Sequence, residues 1–162
     1  MPNMDLDEID LRILNHMQGD ARLTNVELAE RVGLSPSPCL RRLRKLEKDG
    51  VIQGYMTFVD QTKVGLPVSV FVSVALKEQS EAALEEFEES VSALPEVMEC
   101  YLMTGTSDYL MRVVTQDLAD YERFLKNHLT RIPAIASIQS SFALKQVTYR
   151  TALPLSEGDS HS

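Results

Sequence analysis

Residues 24–50, TNVELAERVGLSPSPCLRRLRKLEKDG, contain two helix signals separated by a single glycine. Thr24 is followed three residues later by Glu27, so each side chain can accept a hydrogen bond from the other residue's backbone amide and cap a helix. Gly33 can adopt the left-handed conformation that ends a helix, and Ser35 can cap the helix that follows. Two short helices joined by such a tight turn predict a helix-turn-helix.

The second helix of this motif, predicted over residues 36–49, has two chemically different faces. At about 100° per residue, its apolar side chains lie on one side, namely Cys39, Leu40, Leu43 and Leu46. Its cationic side chains lie on nearly the opposite side, namely Arg41, Arg44, Lys45 and Lys48. A helix that packs on a core through one face and is cationic on the other fits the DNA major groove, where arginine can donate two hydrogen bonds to guanine.

We therefore predict a DNA-contacting surface made of this cationic face and the start of the same helix, because recognition helices commonly read bases with their N-terminal residues. The candidate DNA-binding residues are Asn25, Ser35, Ser37, Pro38, Arg41, Arg42, Arg44, Lys45 and Lys48. A charged stripe taken alone leaves open the alternative of an ordinary solvated face.

Residues outside the motif complete a predicted DNA-binding domain with its linker over residues 1–65. A preceding helix, with Asp5 or Asp7 as its N-cap, is predicted by four apolar residues at helical spacing, Leu6, Ile9, Ile13 and Met17. Residues 51–60, VIQGYMTFVD, predict a short strand pair or wing. Residues 1–65 carry nine Lys or Arg and ten Asp or Glu, whereas the remaining chain carries seven and fourteen. The net charge of −8 therefore comes mainly from the second part and does not exclude DNA binding by the first.

Residues 66–153 alternate between strand and helix signals. The strand signals are PVSVFVSVAL (67–76), VMECYLMT (97–104), YLMRVVT (109–115) and IASIQSSFAL (135–144), with KQVTYRT (145–151) as a candidate for a short final strand. Apolar residues at helical spacing predict helices around Leu84–Leu94 and Leu118–Leu129. The order βαββαβ predicts an α+β fold, a winged helix-turn-helix followed by a ferredoxin-like antiparallel sheet with both helices on one face.

The sheet face away from those helices is predicted to carry Phe71, Ser73 and Tyr101, and we expect it to form a homodimer. A dimer also suits a helix-turn-helix, because paired DNA half-sites require two copies. Residues 154–162 are predicted to be a polar tail, in which SEGDSHS (156–162) is expected to be disordered.

Residue types that serve catalysis and metal binding are scattered. Cys39 and Cys100 lack CxxC spacing and are expected to be buried thiols. No pair among His16, His128 and His161 has the spacing of a metal or catalytic site, so we expect neither a metal, a cofactor nor enzymatic activity. The acidic first ten residues lack the apolar core of a signal peptide, and no apolar run reaches the ~18 residues of a membrane helix, so a cytoplasmic location is expected.

The whole chain resembles the Lrp/AsnC (leucine-responsive/asparagine-responsive) transcription regulators. The resemblance is carried by DEIDLRIL (7–14), NVELAERVGLSPSPCLRRLRKLEKDGVI (25–52), PEVMECYLMTGTSDYLMRV (95–113) and IPAIASIQSSFALKQV (132–147). It implies a C-terminal amino-acid-sensing domain of the RAM type, homodimers joined through their sheets, and often octamers of four dimers.

The resemblance also implies an effector site between dimers, near the turn Gly105-Thr106-Ser107-Asp108. There Asp108 can pair with an α-ammonium group, while turn amides and hydroxyls can hold an α-carboxylate. The implied effector-binding residues are Tyr101, Met103, Thr104, Gly105, Thr106, Ser107 and Asp108, with Ile132, Pro133, Ile138 and Ser140 from the opposing subunit. Turn statistics alone favour a purely structural role for the Gly and the Asp.

The predicted function is a sequence-specific DNA-binding transcription regulator controlled by a small effector of the amino-acid type. An architectural DNA-binding protein of low sequence specificity is the alternative. An amino-acid-binding metabolic subunit is less favoured, because the sequence offers no nucleophile–base pair, phosphate loop or clustered carboxylates.

Overall fold

The computed structural model describes residues 5–157, which divide into two compact units. The first unit consists of residues 5–57 and 148–157, and the second of residues 58–147. The units divide between residues 57 and 58, and the chain returns to the first unit after the second. The predicted boundary after residue 65 included the linker in the first domain.

The first unit contains three helices, α1 (Glu8–Gly19), α2 (Asn25–Val32) and α3 (Pro36–Lys48). Asp7 is the N-cap of α1 and forms a reciprocal capping box with Asp10, whereas Thr24 and Glu27 form the predicted capping box of α2. Gly33 ends α2 in the left-handed conformation with φ +74°, as predicted. These local hydrogen bonds satisfy the amides that a helix start leaves without partners, so the two helix starts are fixed by short-range sequence.

The helices of the first unit share one apolar core. Ile13, Leu28 and Cys39, one from each helix, are fully buried, and Leu46 near the end of α3 is also buried. The predicted strand pair at residues 51–60, all of which the structure describes, contains no strand. Its first two residues, Val51 and Ile52, instead donate their amides to the Leu46 carbonyl and pack on the core, which closes the C-terminal end of α3.

The second unit has the predicted βαββαβ order. Its elements are β1 (Val68–Leu76), α4 (Glu81–Ser92), β2 (Val97–Leu102), β3 (Tyr109–Thr115), α5 (Leu118–Asn127), a short 3-10 turn (Leu129–Arg131) and β4 (Ile135–Phe142). The strands form one antiparallel sheet in the order β2-β3-β1-β4. The predicted final strand at residues 145–151 is wrong, because β4 already forms the edge beside β1 and the chain leaves this unit after residue 147.

Both helices of the second unit pack on the same face of the sheet, as predicted. Val70 and Val74 of β1 are fully buried against this layer together with Phe87 of α4 and Tyr121 of α5. The ring centroids of Phe87 and Tyr109 lie 4.4 Å apart, which adds a directional aromatic contact to the burial. The residues that alternate with these along β1 point to the other face of the sheet. Among them, Phe71 is 41% exposed.

The two cysteines differ in burial. Cys39 is buried as predicted, whereas Cys100 is exposed, because it lies on the edge strand β2. His16 and His128 are half-buried, and His161 lies outside the described residues. Among residues 5–157, the helices are all too short or too polar to cross a membrane.

The beginning of the predicted polar tail, residues 154–157, is attached to the first unit, and Glu157 Oε1 accepts a hydrogen bond from the Asn15 side chain. Leu155 packs against the core of the first unit, and its carbonyl accepts a hydrogen bond from the Asn15 side chain. This contact joins residues that are 140 positions apart, so no local signal could predict it. The remaining residues of the predicted tail, 158–162, lie outside the described part of the chain.

Candidate DNA interface and effector turn

The cationic side chains of α3 form an exposed face. Arg41, Arg44, Lys45 and Lys48 are all exposed. On the other side of the helix, Cys39 and Leu46 are buried in the core of the first unit. The helix is therefore held by its apolar side while four positive charges face solvent, as the helical spacing predicted.

The start of α3 presents polar groups that the helix itself does not use. Ser35 is the N-cap, but its hydroxyl makes no capping hydrogen bond. Ser37 is exposed and Pro38 is half-buried in the first turn of the helix. Asn25 at the start of α2 has a different role, because its side-chain amide donates to the Pro36 carbonyl at 2.8 Å and so joins the starts of the two helices.

Arg42 differs from its cationic neighbours, because the structure places it against α1. Its Nη1 atom lies 2.6 Å from Asp7 Oδ2 and 3.0 Å from Asp10 Oδ1. Both carboxylates also accept backbone amides in the capping box of α1, so a single guanidinium closes a network across two helices. Arg42 lies about 100° around the helix from Arg41, which turns it away from the exposed face. This contact gives Arg42 a positioning role within the first unit.

Lys45 remains on the exposed face of α3 although it forms an ion pair with Asp49. Its ammonium group lies 2.7 Å from Asp49 Oδ2 at i,i+4 spacing, and the Lys45 side chain is 76% exposed. The hydrogen bond and the charge of Asp49 raise the pKa of Lys45. Because exposed pairs of this kind are weak, Lys45 can exchange Asp49 for another anion.

The pair between Arg42 and Asp7 predicts that the first unit is sensitive to acid. The hydrogen bond from Arg42, followed by that from the Asp10 backbone amide, lowers the pKa of Asp7 from its ordinary 3.8. A carboxyl with a lowered folded-state pKa contributes stability above its unfolded-state pKa and loses it as the pH falls through the folded-state value. We expect amide protection in α1 and α3, corrected for intrinsic exchange, to fall below about pH 4. Arg42→Gln should flatten this pH dependence, and identical profiles in the two proteins would contradict the assignment.

The predicted effector turn connects β2 to β3. Gly105 has φ +115°, a conformation that L-residues with a side chain rarely adopt, and the Met103 amide donates to the Asp108 carbonyl at 2.8 Å. Five of the predicted residues are exposed, namely Tyr101, Met103, Thr104, Gly105 and Thr106. Ser107 and Asp108 are half-buried at the base of the turn.

Asp108 fastens this turn to the end of β1. Its Oδ2 atom accepts the Leu76 amide and its Oδ1 atom accepts the Gln79 side-chain amide, both at 2.7 Å. Its own amide donates to the Val74 carbonyl at 2.9 Å. A carboxylate has about four acceptor sites, so these contacts leave two for a bound cation. Leu76 and Gln79 were not singled out from the sequence, because they lie 32 and 29 positions from Asp108.

The residues predicted for the opposing side of the effector site do not form one surface within a single chain. Ile132 is 8% exposed and belongs to the core, and the Ser140 hydroxyl is hydrogen-bonded to the Tyr121 hydroxyl. Ile138 is half-buried and packs on the core, whereas Pro133 is exposed. Ile135 pairs with Leu76, whose amide donates to Asp108, so the beginning of β4 and the effector turn lie at the same end of the sheet.

Comparison with known families covers both units. Residues 6–53 match the family described as winged helix-turn-helix DNA-binding, and residues 69–153 match the Lrp/AsnC ligand binding domain. Together these matches cover most of the chain and agree with the three-helix unit and the βαββαβ unit described above.

Individual relatives are similar to this chain over nearly its full length. The chain is 50% identical to the Bkd operon transcriptional regulator of Pseudomonas aeruginosa, covering 93% of this chain and 99% of that protein. It is 39% identical to the leucine-responsive regulatory protein of Escherichia coli K12, covering 90% and 89%. A transcriptional regulator of Neisseria meningitidis, solved in complex with L-Met, matches with a TM-score of 0.87 and 40% identity over 92% of this chain and 96% of that one. The chain belongs to the Lrp/AsnC family of transcriptional regulators.

Proposed function

We propose that this chain is a cytoplasmic, sequence-specific DNA-binding transcription regulator whose affinity for DNA is controlled by a small amino acid. The observation that carries the proposal is the exposed row of Arg41, Arg44, Lys45 and Lys48 on a helix whose opposite face is buried. In this proposal α3 enters the major groove, where its width admits a helix and its base edges carry sequence information.

The DNA contacts divide by chemistry. Arg41 and Arg44 read base edges, because a guanidinium can bind guanine through two hydrogen bonds. Lys45 and Lys48 contact phosphates, together with the hydroxyls of Ser35 and Ser37 at the helix start. Pro38 packs beside them. Asn25 and Arg42 hold α3 in place through Pro36 and through the α1 capping box, as their contacts within the unit support.

The effector is an α-amino acid bound at the turn of residues 103–108. Asp108 binds its ammonium group with the acceptor sites that Leu76 and Gln79 leave open. The turn amides and the hydroxyls of Thr104, Thr106 and Ser107 bind its carboxylate. An apolar effector side chain is favoured by the exposed Tyr101, Leu102 and Met103 beside the turn. Pro133 and the beginning of β4, with Ile132, Ile138 and Ser140 behind them, complete the site from another subunit.

Two copies join through the open sheet face in this proposal, and dimers can assemble further into octamers. Phe71 is 41% and Tyr101 53% exposed, and Leu110 on β3 pairs with Tyr101 on one side and with Ser73 on the other. Burial of these side chains in a two-fold interface removes apolar surface from water and provides the paired recognition helices that palindromic half-sites require.

The DNA-binding part is tested by titrating the protein against DNA from upstream of its own gene and against a scrambled duplex of the same composition at one salt concentration. Specific binding should exceed non-specific binding by about 10³-fold or more. Equal affinity for the two duplexes would favour an architectural protein of low specificity.

The effector part predicts a rise in melting temperature with a free amino acid. A ligand that binds only the native state adds RT ln(1+[L]/Kd), or about 2.7 kcal/mol at one hundred times Kd. We expect this shift from at least one apolar amino acid in a screen that includes L-leucine and L-methionine. N-acetyl-L-leucine and N-acetyl-L-methionine are the matched controls, because they keep the carboxylate and lack the ammonium group. Equal shifts from the acetylated and the free compounds would contradict a role for Asp108 as the ammonium ligand.

A further inference from the structure

The chain returns to the first unit and pairs with one side of α1. The Leu153 amide donates to Gln18 Oε1 at 2.6 Å, and Gln18 Nε2 donates to the Leu153 carbonyl at 3.1 Å. The side-chain amide of Gln18 thus satisfies both backbone groups of one residue, as a neighbouring β-strand would. Such two-point pairing fixes the position of an extended segment on the helix.

A second side chain on the same face of α1 extends this contact. Asn15 Nδ2 lies 3.3 Å from the Leu155 carbonyl and 3.1 Å from Glu157 Oε1. Asn15 and Gln18 are three residues apart and therefore adjacent on the helix surface. The side chain of Leu155 also packs against the core of the first unit. Residues 153–157, called the clasp below, are thus held by hydrogen bonds at Leu153, Leu155 and Glu157 and by the apolar contact of the Leu155 side chain.

The clasp gives the first unit a second connection to the rest of the chain. One connection follows residue 57, and the other comes from residue 147. The anchored second connection closes the chain into a loop that leaves the first unit and returns to it, which costs loop-closure entropy that the contacts of the clasp offset. The chain between β4 and the clasp, residues 143–152, is exposed and forms no helix or strand, and it is fixed on α1 at the clasp.

The second connection runs along the backbone between the two candidate sites. β4 begins beside Leu76, whose amide is bound by Asp108 of the effector turn, and it leads without another helix or strand into the clasp. At the other end, α1 is joined to α3 by the contact of Arg42 with Asp7 and Asp10. The covalent path thus runs from the effector turn through β4 and the clasp to α1, which holds α3.

We propose that the clasp transmits the effector-bound state to the DNA-binding unit through Asn15 and Gln18. This inference rests on the proposed function, because it assigns the route by which the effector turn controls the recognition helix. Releasing the clasp should uncouple the two sites while each keeps its own ligand.

The test uses the full chain with the substitutions Asn15→Ala and Gln18→Ala combined, because alanine preserves helix α1. Glu8→Ala is the matched control, an exposed position on the same helix outside the clasp. DNA affinity is measured without effector, with L-leucine and with L-methionine, and binding of each amino acid is measured separately. Hydrogen exchange of the Leu153 amide reports whether the clasp is attached.

In the double variant we expect faster exchange of the Leu153 amide, with DNA affinity without effector and amino-acid affinity both within about twofold of the wild type. The effector-induced change in DNA affinity, commonly about 5- to 150-fold, should fall to less than about twofold. Gln18→Glu, which keeps the acceptor for the Leu153 amide and loses the donor to the Leu153 carbonyl, should give a smaller effect, and a melting temperature close to that of the wild type shows that each variant is folded.

A double variant that responds to the effector like the wild type would overturn the proposal, as would an equally fast Leu153 exchange in wild type and variant. A wild-type chain that binds specific DNA without any response to an amino acid would contradict the proposed effector control, and the clasp would then have no signal to transmit. The comparison of variant with wild type therefore tests the clasp, and the wild type alone tests the proposed function.

Discussion

Arg41→Ala is expected to weaken binding to specific DNA by about 1–3 kcal/mol, or roughly 5- to 150-fold, without lowering the thermal stability of the chain. The Arg41 side chain is exposed on the free face of α3, so its removal leaves no buried group without a partner. Gel-shift titration gives the affinity, and thermal unfolding gives the stability of the same samples. Unchanged affinity would remove Arg41 from the interface.

Its neighbour Arg42 provides a matched contrast on the same helix. Arg42→Ala leaves Asp7 and Asp10 without their shared cation, and the side chain of Asp10 is only 17% exposed. Hydrogen bonds to charged groups contribute up to about 3 kcal/mol, which partial exposure reduces here to about 1–2 kcal/mol. We expect this loss as reduced amide protection of α1 and α3, with weaker DNA binding as its consequence. Weaker DNA binding with unchanged protection would show that Arg42 itself contacts DNA.

Asp108→Asn is expected to abolish the effector response while the fold is kept. An asparagine oxygen can still accept the Leu76 amide, and the Gln79 side chain can turn its own oxygen toward the new NH2 group. The negative charge that would hold an α-ammonium group is lost, so amino-acid binding should weaken beyond detection in the thermal-shift screen. A retained shift with L-leucine or L-methionine would exclude Asp108 as the ammonium ligand.

Asp108→Ala separates the two roles of this residue. It leaves the amide of Leu76, a residue that is only 7% exposed, without its acceptor and should destabilise the second unit by about 1–3 kcal/mol. Gln79→Ala is the control, because it removes one partner of Asp108 and keeps the carboxylate. We expect Gln79→Ala to retain the effector response, measured as the ratio of DNA affinities with and without amino acid.

The fold was predictable wherever short-range chemistry decides the structure. The capping box of Thr24 with Glu27 and the left-handed Gly33 involve neighbours within a few positions, so their side-chain types are sufficient. The alternation of β1 predicted which of its side chains face the helices, because strand periodicity is also local. Errors arose at contacts across the fold. By alternation along β2, Cys100 lies on the sheet face that the helices cover. It is nevertheless exposed, because β2 lies at the edge of the sheet.

By itself, the sequence determined the helix-turn-helix, the βαββαβ order and the cationic face of α3, because each follows from spacings of a few residues along one element. Only the tertiary structure decided that Arg42 faces Asp7, that Asp108 holds the end of β1, and that Leu155 returns to α1. These contacts join positions 32 to 140 residues apart, and no helical or strand period connects such positions. The partner of a charged or polar side chain is fixed by packing in three dimensions, so two adjacent arginines differ. Arg41 is exposed to solvent, whereas Arg42 supports the domain through Asp7 and Asp10.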